Sequence, residues 1–181
     1  MEEDQKLYSE FLNGNNESFE SIVDKYMEKL IYFIQGFAKN IDIAEDLAQD
    51  VFVYILMNKE KYDLQYSLKT YLYTIAKCRA LNYVKRERKI TYLNESEYFF
   101  TEEEIEDIVF DKEKSKKIKL AIDKLPAPQN RIIYLADIEE MSYKEISKVL
   151  DLSMSQVKTL IHRGRKKLKK ILEKEIESYN G

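Results

Sequence analysis

The stretch from Ser142 to Lys170, SYKEISKVLDLSMSQVKTLIHRGRKKLKK, decides the architecture of the C-terminal part of the chain. Two helix starts are written into it. Ser142 followed by Glu145 has capping-box spacing, and Ser153 followed by Gln156 repeats it. In each pair the hydroxyl satisfies an orphan N–H of the first turn while the longer side chain reaches back. Ile146, Val149 and Leu150 form an apolar set between the two starts, and Asp151 and Leu152 form a short turn. The pattern is a short helix, a tight turn and a second helix, the helix-turn-helix arrangement.

The second of these helices has two faces. Val157 and Ile161, four apart, suit packing on the first helix. Ser155, Gln156, Lys158, Thr159, His162 and Arg163 are left for the other side, followed by Arg165, Lys166, Lys167, Lys169 and Lys170. Such a helix can lie in a DNA major groove, with polar groups near its start facing base edges and cations meeting phosphates. The plain alternative is a helical hairpin with a solvated basic tail.

Outward from that stretch, composition points to helices throughout. The 181 residues hold only 4 glycines and 2 prolines, so few turns are encoded. The two prolines, Pro126 and Pro128, flank Ala127 and break a helix there; Pro128 suits the first turn of the next one. Asp111 is expected to cap the preceding helix, which runs to about Lys124. The following helix carries Ile132, Ile133, Leu135, Ala136 and Ile138. With the opening pair this makes a small four-helix domain.

The N-terminal half reads as four more helices. Asp4 to Leu12 is short and closed by Asn13-Gly14. Asn16 is placed to cap a helix from Glu17 to about Lys39, ended by Asn40. Asp42 opens the next, to about Met57, with Ile43, Leu47, Val51, Tyr54 and Ile55 as its expected inner row. Asp46, Gln49, Asp50 and Val53 share another face at i, i+3, i+4 and i+7. That face is either simply solvated or a contact surface for a basic, partly apolar partner, and spacing does not separate the two. Ser67 caps a helix to about Arg88 that is rich in cations (Lys69, Lys77, Arg79, Lys85, Arg86, Arg88, Lys89). Tyr62, Tyr66, Tyr71, Tyr73 and Tyr83 lie among or beside them. Cations interleaved with rings suit single-stranded nucleic acid, because cations track phosphates and rings stack on bases; tyrosines that serve only as core or boundary residues would give the same pattern.

Between the basic regions, Glu95 to Asp107 carries Glu95, Glu97, Glu102, Glu103, Glu104, Glu106 and Asp107 without a cation, as a linker would. The expected architecture is therefore all-α: two small helical domains, 1–92 and 113–181, joined by an acidic linker at 93–112. The net charge of −3 does not suggest a nucleic-acid binder, but its segregation along the chain does. With one cysteine, Cys78, and one histidine, no intrachain disulfide and no usual zinc site can form, and no cofactor or catalytic constellation is expected. Neither a secretory leader nor a membrane-length apolar run is seen, so a cytoplasmic protein without membrane insertion is expected.

Several stretches together resemble the extracytoplasmic-function group of the sigma-70 family of bacterial RNA polymerase initiation factors. Ala44 to Phe52 is similar to the signature of family region 2.2. Leu68 to Ala76 is similar to the helix that melts the promoter and reads its −10 element, and Leu125 to Leu168 to region 4, which reads the −35 element. The resemblance implies a non-enzymatic subunit that directs core polymerase to promoters. Asp46, Leu47, Gln49, Asp50 and Val53 would meet the β′ clamp helices of core RNA polymerase, and region 4 its β flap. Tyr62, Tyr66, Lys69, Tyr71, Tyr73, Lys77 and Arg79 would meet the −10 strand, the loop from Tyr62 to Tyr66 holding a flipped base. Ser155, Gln156, Lys158, Thr159, His162, Arg163 and Lys166 would meet the −35 duplex. An anti-sigma protein is the implied inhibitor. Tyr71 stands where the family usually has Trp, Leu160 where Arg is common, and Asp151 where Gly is frequent, which asks an aspartate to adopt a left-handed conformation. From residues alone, a repressor or activator binding duplex DNA unaided and a protein-interaction module stay open.

Overall fold

The computed structural model describes residues 3–93 and 113–179. The acidic linker, including the Asp111 cap, lies almost wholly outside the described residues. Among those described there are helices and turns and no strand. The chain divides into two compact units, Met1–Glu106 and Asp107–Gly181.

The N-terminal unit holds α1 (Glu3–Leu12), α2 (Asn16–Ala38), α3 (Ile41–Met57) and α4 (Leu68–Leu93). Gly14, at φ 96°, turns the chain out of α1. The cap of α2 is Asn15 rather than Asn16: its backbone is extended, and its side chain accepts from the Ser18 N–H. At the other end Lys39 takes the left-handed conformation and donates its N–H to the Gln35 carbonyl. Asn40 is then extended and caps α3, accepting from the Ile43 N–H at 3.0 Å. Sequence reading gave that role to Asp42. The earlier asparagine wins because the tight left-handed exit leaves no residue to spare between the helices.

Ile22, Tyr26, Leu30, Phe33 and Ile34 of α2 form the centre of the core. From α3 come Ala44, Ala48, Val51, Phe52 and Ile55. The expected inner row of α3 keeps only Val51 and Ile55; Ile43, Leu47 and Tyr54 are half-buried at the edge. Two alanines on the true inner face let α3 approach α2 closely, and their small side chains give a weak hydrophobic signal. From α4 come Leu68, Leu72, Tyr73, Ala76 and Ala80, and from α1 Tyr8 and Phe11. α4 runs on to Leu93, beyond the expected end near Arg88.

The C-terminal unit holds α5 (Glu113–Asp123), α6 (Ala127–Ile133), α7 (Tyr143–Leu150) and α8 (Met154–Tyr179). Pro128 sits in the first turn of α6, where its missing N–H costs nothing. Asn130 is nearly buried and donates from Nδ2 to the Ile122 carbonyl at 3.0 Å, tying α6 to the end of α5. A single π turn, Tyr134–Ile138, follows α6. Its wider winding rotates the last residues, and Ile138 is 41% exposed.

The same turn presents Asp137 to Arg165 of α8, which donates from Nε at 3.2 Å and from Nη2 at 2.5 Å. One residue away, α8 comes so close to α6 that a Cβ on Gly164 would lie 2.6 Å from Ile133 Cγ1 and 2.9 Å from its Cδ1. Gly164→Ala is therefore expected to destabilise the C-terminal unit by about 1–3 kcal/mol through overpacking, despite alanine's better helix propensity. Denaturant unfolding should show an earlier midpoint at unchanged slope; an unchanged or later midpoint would mean that the helices separate freely.

Candidate nucleic-acid interface

The helix-turn-helix is built as its capping residues dictate. The Ser142 hydroxyl accepts from the Glu145 N–H at 3.3 Å, and the Glu145 carboxylate accepts from the Ser142 N–H at 2.9 Å. The second box is also closed: the Ser153 hydroxyl accepts from the Gln156 N–H at 3.2 Å, and Gln156 Oε1 accepts from the Ser153 N–H at 2.8 Å. Between them Asp151 is left-handed, at φ 56° and ψ 50°, as its place in the turn requires. The Ser147 hydroxyl donates to the Leu152 carbonyl at 2.5 Å, and the Leu152 N–H donates back to the Ser147 carbonyl. The angle between α7 and α8 is thus pinned by backbone and side-chain bonds on both sides of the turn. Ile146, Val149, Val157 and Ile161 are buried between the helices.

This geometry leaves Ser155, Gln156, Lys158, Thr159, His162, Arg163 and Lys166 exposed on α8. Gln156 differs from the rest, because its carboxamide oxygen is committed to the cap. Its NH2 group points free of the cap, so a base contact through that donor leaves the cap intact, whereas a two-bond pairing with adenine shares the oxygen with the Ser153 N–H. Arg165 differs too, because its guanidinium is paired with Asp137. Leu160 is half-buried and lends no polar group.

In the N-terminal unit the chain from Asn58 to Ser67 forms a short loop beside the start of α4. Asp63 accepts from the Gln65 N–H at 2.9 Å through its side chain and from the Tyr66 N–H at 3.0 Å through its carbonyl. The Ser67 hydroxyl caps α4, accepting from the Thr70 N–H at 3.3 Å. Tyr66 stands out of this loop, 54% exposed. Lys69 and Lys77 on α4 are half-exposed, and Lys85, Arg86, Arg88 and Lys89 are exposed. Arg79 and Lys61 both lie over the Tyr54 ring, 5.4 and 5.5 Å from its centroid.

Two of the tyrosines expected to stack on bases do not offer a face. Tyr73 is 0% exposed and packs edge-on against Phe33 with centroids 5.0 Å apart. Tyr62 is 5% exposed, lodged between Tyr8 and Tyr71, and its hydroxyl donates to the Tyr66 carbonyl. Both hold the platform rather than form it. In a helix, residues two positions apart point to different sides, so Tyr71 and Tyr73 could not both have faced a strand. Tyr71 is half-buried with its hydroxyl in the protein, and burial, with Tyr54 beside it, raises its pKa above the ordinary tyrosine value.

On α3, Asp46, Gln49, Asp50 and Val53 are all exposed and Leu47 is half-buried. The face continues further than sequence reading took it. Leu56 is exposed, and Met57, four residues beyond Val53, is 79% exposed. The i+4 step from Val53 to Met57 was the available signal. Carboxylates along the helix and bare apolar side chains at its end would suit a partner carrying both cations and apolar groups. Among the described residues there is no cluster of three or more metal-ligating side chains, and no helix is long and apolar enough to cross a membrane.

The chain is similar to known proteins. A family model described as Sigma-70 region 2 matches residues 22–90, and one described as Sigma-70, region 4 matches 115–168. The ECF RNA polymerase sigma factor SigW of Bacillus subtilis is 32% identical over 180 residues, covering 93% of this chain and 96% of the relative. The RNA polymerase sigma factor YlaC of the same organism is 29% identical, covering 90% and 96%. Among solved structures, the sigma factor RpoE bound to the anti-sigma factor NepR from Bartonella quintana superposes with a TM-score of 0.67 at 21% identity, covering 86% of this chain and 96% of that one. CnrH in complex with the cytosolic domain of CnrY superposes at 0.62 and 23% identity, covering 94% and 97%.

Proposed function

Because the chain belongs to the extracytoplasmic-function group of the sigma-70 family, we propose that it is a dissociable specificity subunit of bacterial RNA polymerase. It directs the core enzyme to particular promoters and initiates transcription there. The observation that carries this reading is the pairing, in one chain, of an exposed acidic and apolar helix face with a closed helix-turn-helix. A repressor acting alone has no use for the first, and a simple interaction module has no use for the second.

Residues 1–92 act as the docking and −10 domain, 93–112 as the tether and 113–181 as the −35 domain. Asp46, Leu47, Gln49, Asp50 and Val53 meet the β′ clamp helices, with Leu56 and Met57 extending the contact; the C-terminal domain meets the β flap. Tyr66 supplies the exposed ring beside the −10 strand, and Lys69, Lys77 and Arg79 its cations, with Tyr71 at the edge. Ser155, Lys158, Thr159, His162, Arg163 and Lys166 address the −35 duplex. The protein works in the cytoplasm, where the polymerase is, without enzymatic activity of its own. An anti-sigma protein restrains it; the RpoE structure above is a complex with an anti-sigma factor. Competition for core polymerase tests the reading: a labelled sigma factor should be displaced from core by this chain. Tight binding to duplex DNA with no displacement would favour a repressor instead.

A further inference from the structure

The first helix touches the −10 loop in a way that neither its sequence nor the family matches assign. α1 lies outside the matched segment 22–90. The Gln5 side-chain amide donates from Nε2 to the Leu64 carbonyl at 2.9 Å and to the Tyr66 carbonyl at 3.3 Å, spanning 59 and 61 residues of chain. Three residues on, one turn along the helix, the Tyr8 hydroxyl donates to the Lys59 carbonyl at 3.0 Å. Lys59 in turn lies over the Phe11 ring, 5.8 Å from its centroid. Gln5, Tyr8 and Phe11, on successive turns of α1, thus hold both ends of the Lys59–Tyr66 loop.

The bonds fall where they matter for the exposed ring. The Tyr66 carbonyl receives two donors, Gln5 Nε2 and the Tyr62 hydroxyl at 2.5 Å, while its N–H is tied to Asp63. These bonds fix the backbone that carries the Tyr66 ring on both sides of its peptide. A loop left to its own local bonds would lose that definition on the side facing α1. Fixing a binding loop in advance improves discrimination, because a wrong base can no longer be accommodated by the loop moving to meet it.

We propose that Gln5 and Tyr8 are positioning residues for −10 recognition, setting the loop from α1 so that it selects particular unpaired bases. This rests on the promoter reading above. Neither side chain touches the strand; each acts through a backbone carbonyl of the loop.

The test uses full-length protein assembled with core polymerase. Wild-type holoenzyme is used to select from a fork-junction DNA library randomised over its unpaired −10 positions. Gln5→Leu, which keeps the bulk and removes the donor, and Tyr8→Phe are then selected on the same library. The expected result is that base preference collapses at the one or two positions read by the loop, by about fivefold in enrichment for each bond removed. Preference at the other positions and the affinity for core should stay as in wild type. An unchanged preference at every position in Gln5→Leu overturns the proposal. So does a uniform loss over all positions together with a lowered melting temperature, since that marks a merely structural role. If the wild type itself enriches no −10 motif while still binding core, the promoter reading fails instead, and the proposal with it.

Discussion

A chain carrying both Lys158→Ala and Arg163→Ala binds its −35 duplex roughly 10²-fold more weakly than wild type, since a good base or charged contact is worth about 1–3 kcal/mol. Both side chains are exposed on α8, on the side away from Val157 and Ile161. Removing a cation that meets a phosphate should also lower the slope of log affinity against log salt by about 1, because fewer counterions are released. The two effects can be read in one titration of a selected promoter duplex across a salt series. Folding should be untouched, since neither residue packs in the core. Arg165 is the built-in control. It is as basic as Arg163 but bound to Asp137, so Arg165→Ala should cost stability of the tie between α8 and the π turn and leave the salt slope unchanged. Wild-type affinity and slope in the double variant would remove Lys158 and Arg163 from the interface.

Reversing one charge at the other end of the chain should be nearly as damaging. Asp50→Lys is expected to weaken core binding by at least about tenfold, because a like charge placed opposite a basic partner costs several kcal/mol where the approach is close. Asp50 is exposed in the middle of the α3 face, between Asp46 and Val53. The substitution disturbs no core packing, so the melting temperature should hold. Met57→Ala should weaken core binding too, but without the salt dependence of Asp50→Lys, since its contribution is apolar. Competition against a labelled sigma factor measures both. Equal displacement by Asp50→Lys and wild type would mean that α3 faces solvent in the holoenzyme. A weakened Asp50→Lys that keeps wild-type binding of its C-terminal domain to DNA is the expected combination.

How far these surfaces could be read from sequence depends on what fixes each one. The helix-turn-helix was legible because capping is local. Ser142 with Glu145, and Ser153 with Gln156, close their bonds within one turn whatever surrounds them. The left-handed Asp151 followed instead from the family resemblance, in which glycine is frequent at that place. What failed was set by distant packing. The π turn at Tyr134–Ile138 has no sequence signature of its own, so the chain there reads as one continuous helix. The inner face of α3 was centred one step away because Ala44 and Ala48 contribute closeness rather than bulk. Tyr62 and Tyr73 were read as strand-facing because composition puts rings beside cations, while only the fold decides which ring has a free face. Gln156 is legible both as a cap and as a base reader, and the fold shows the first of these. The ties from Gln5 and Tyr8 to the loop span half a domain of sequence, beyond the reach of any periodicity.

Run-off transcription with purified core polymerase and fragments of the native genome tests the division of labour most directly. Core polymerase alone should give only non-specific RNA. Addition of the full-length chain should give discrete transcripts from a limited set of fragments sharing two spaced sequence elements. Gln5→Leu should blur the choice of the downstream element, and the Lys158→Ala, Arg163→Ala variant should abolish dependence on the upstream one. A chain that binds core tightly yet yields no specific start from any fragment would contradict the assignment of a docking and −10 domain joined to a −35 domain.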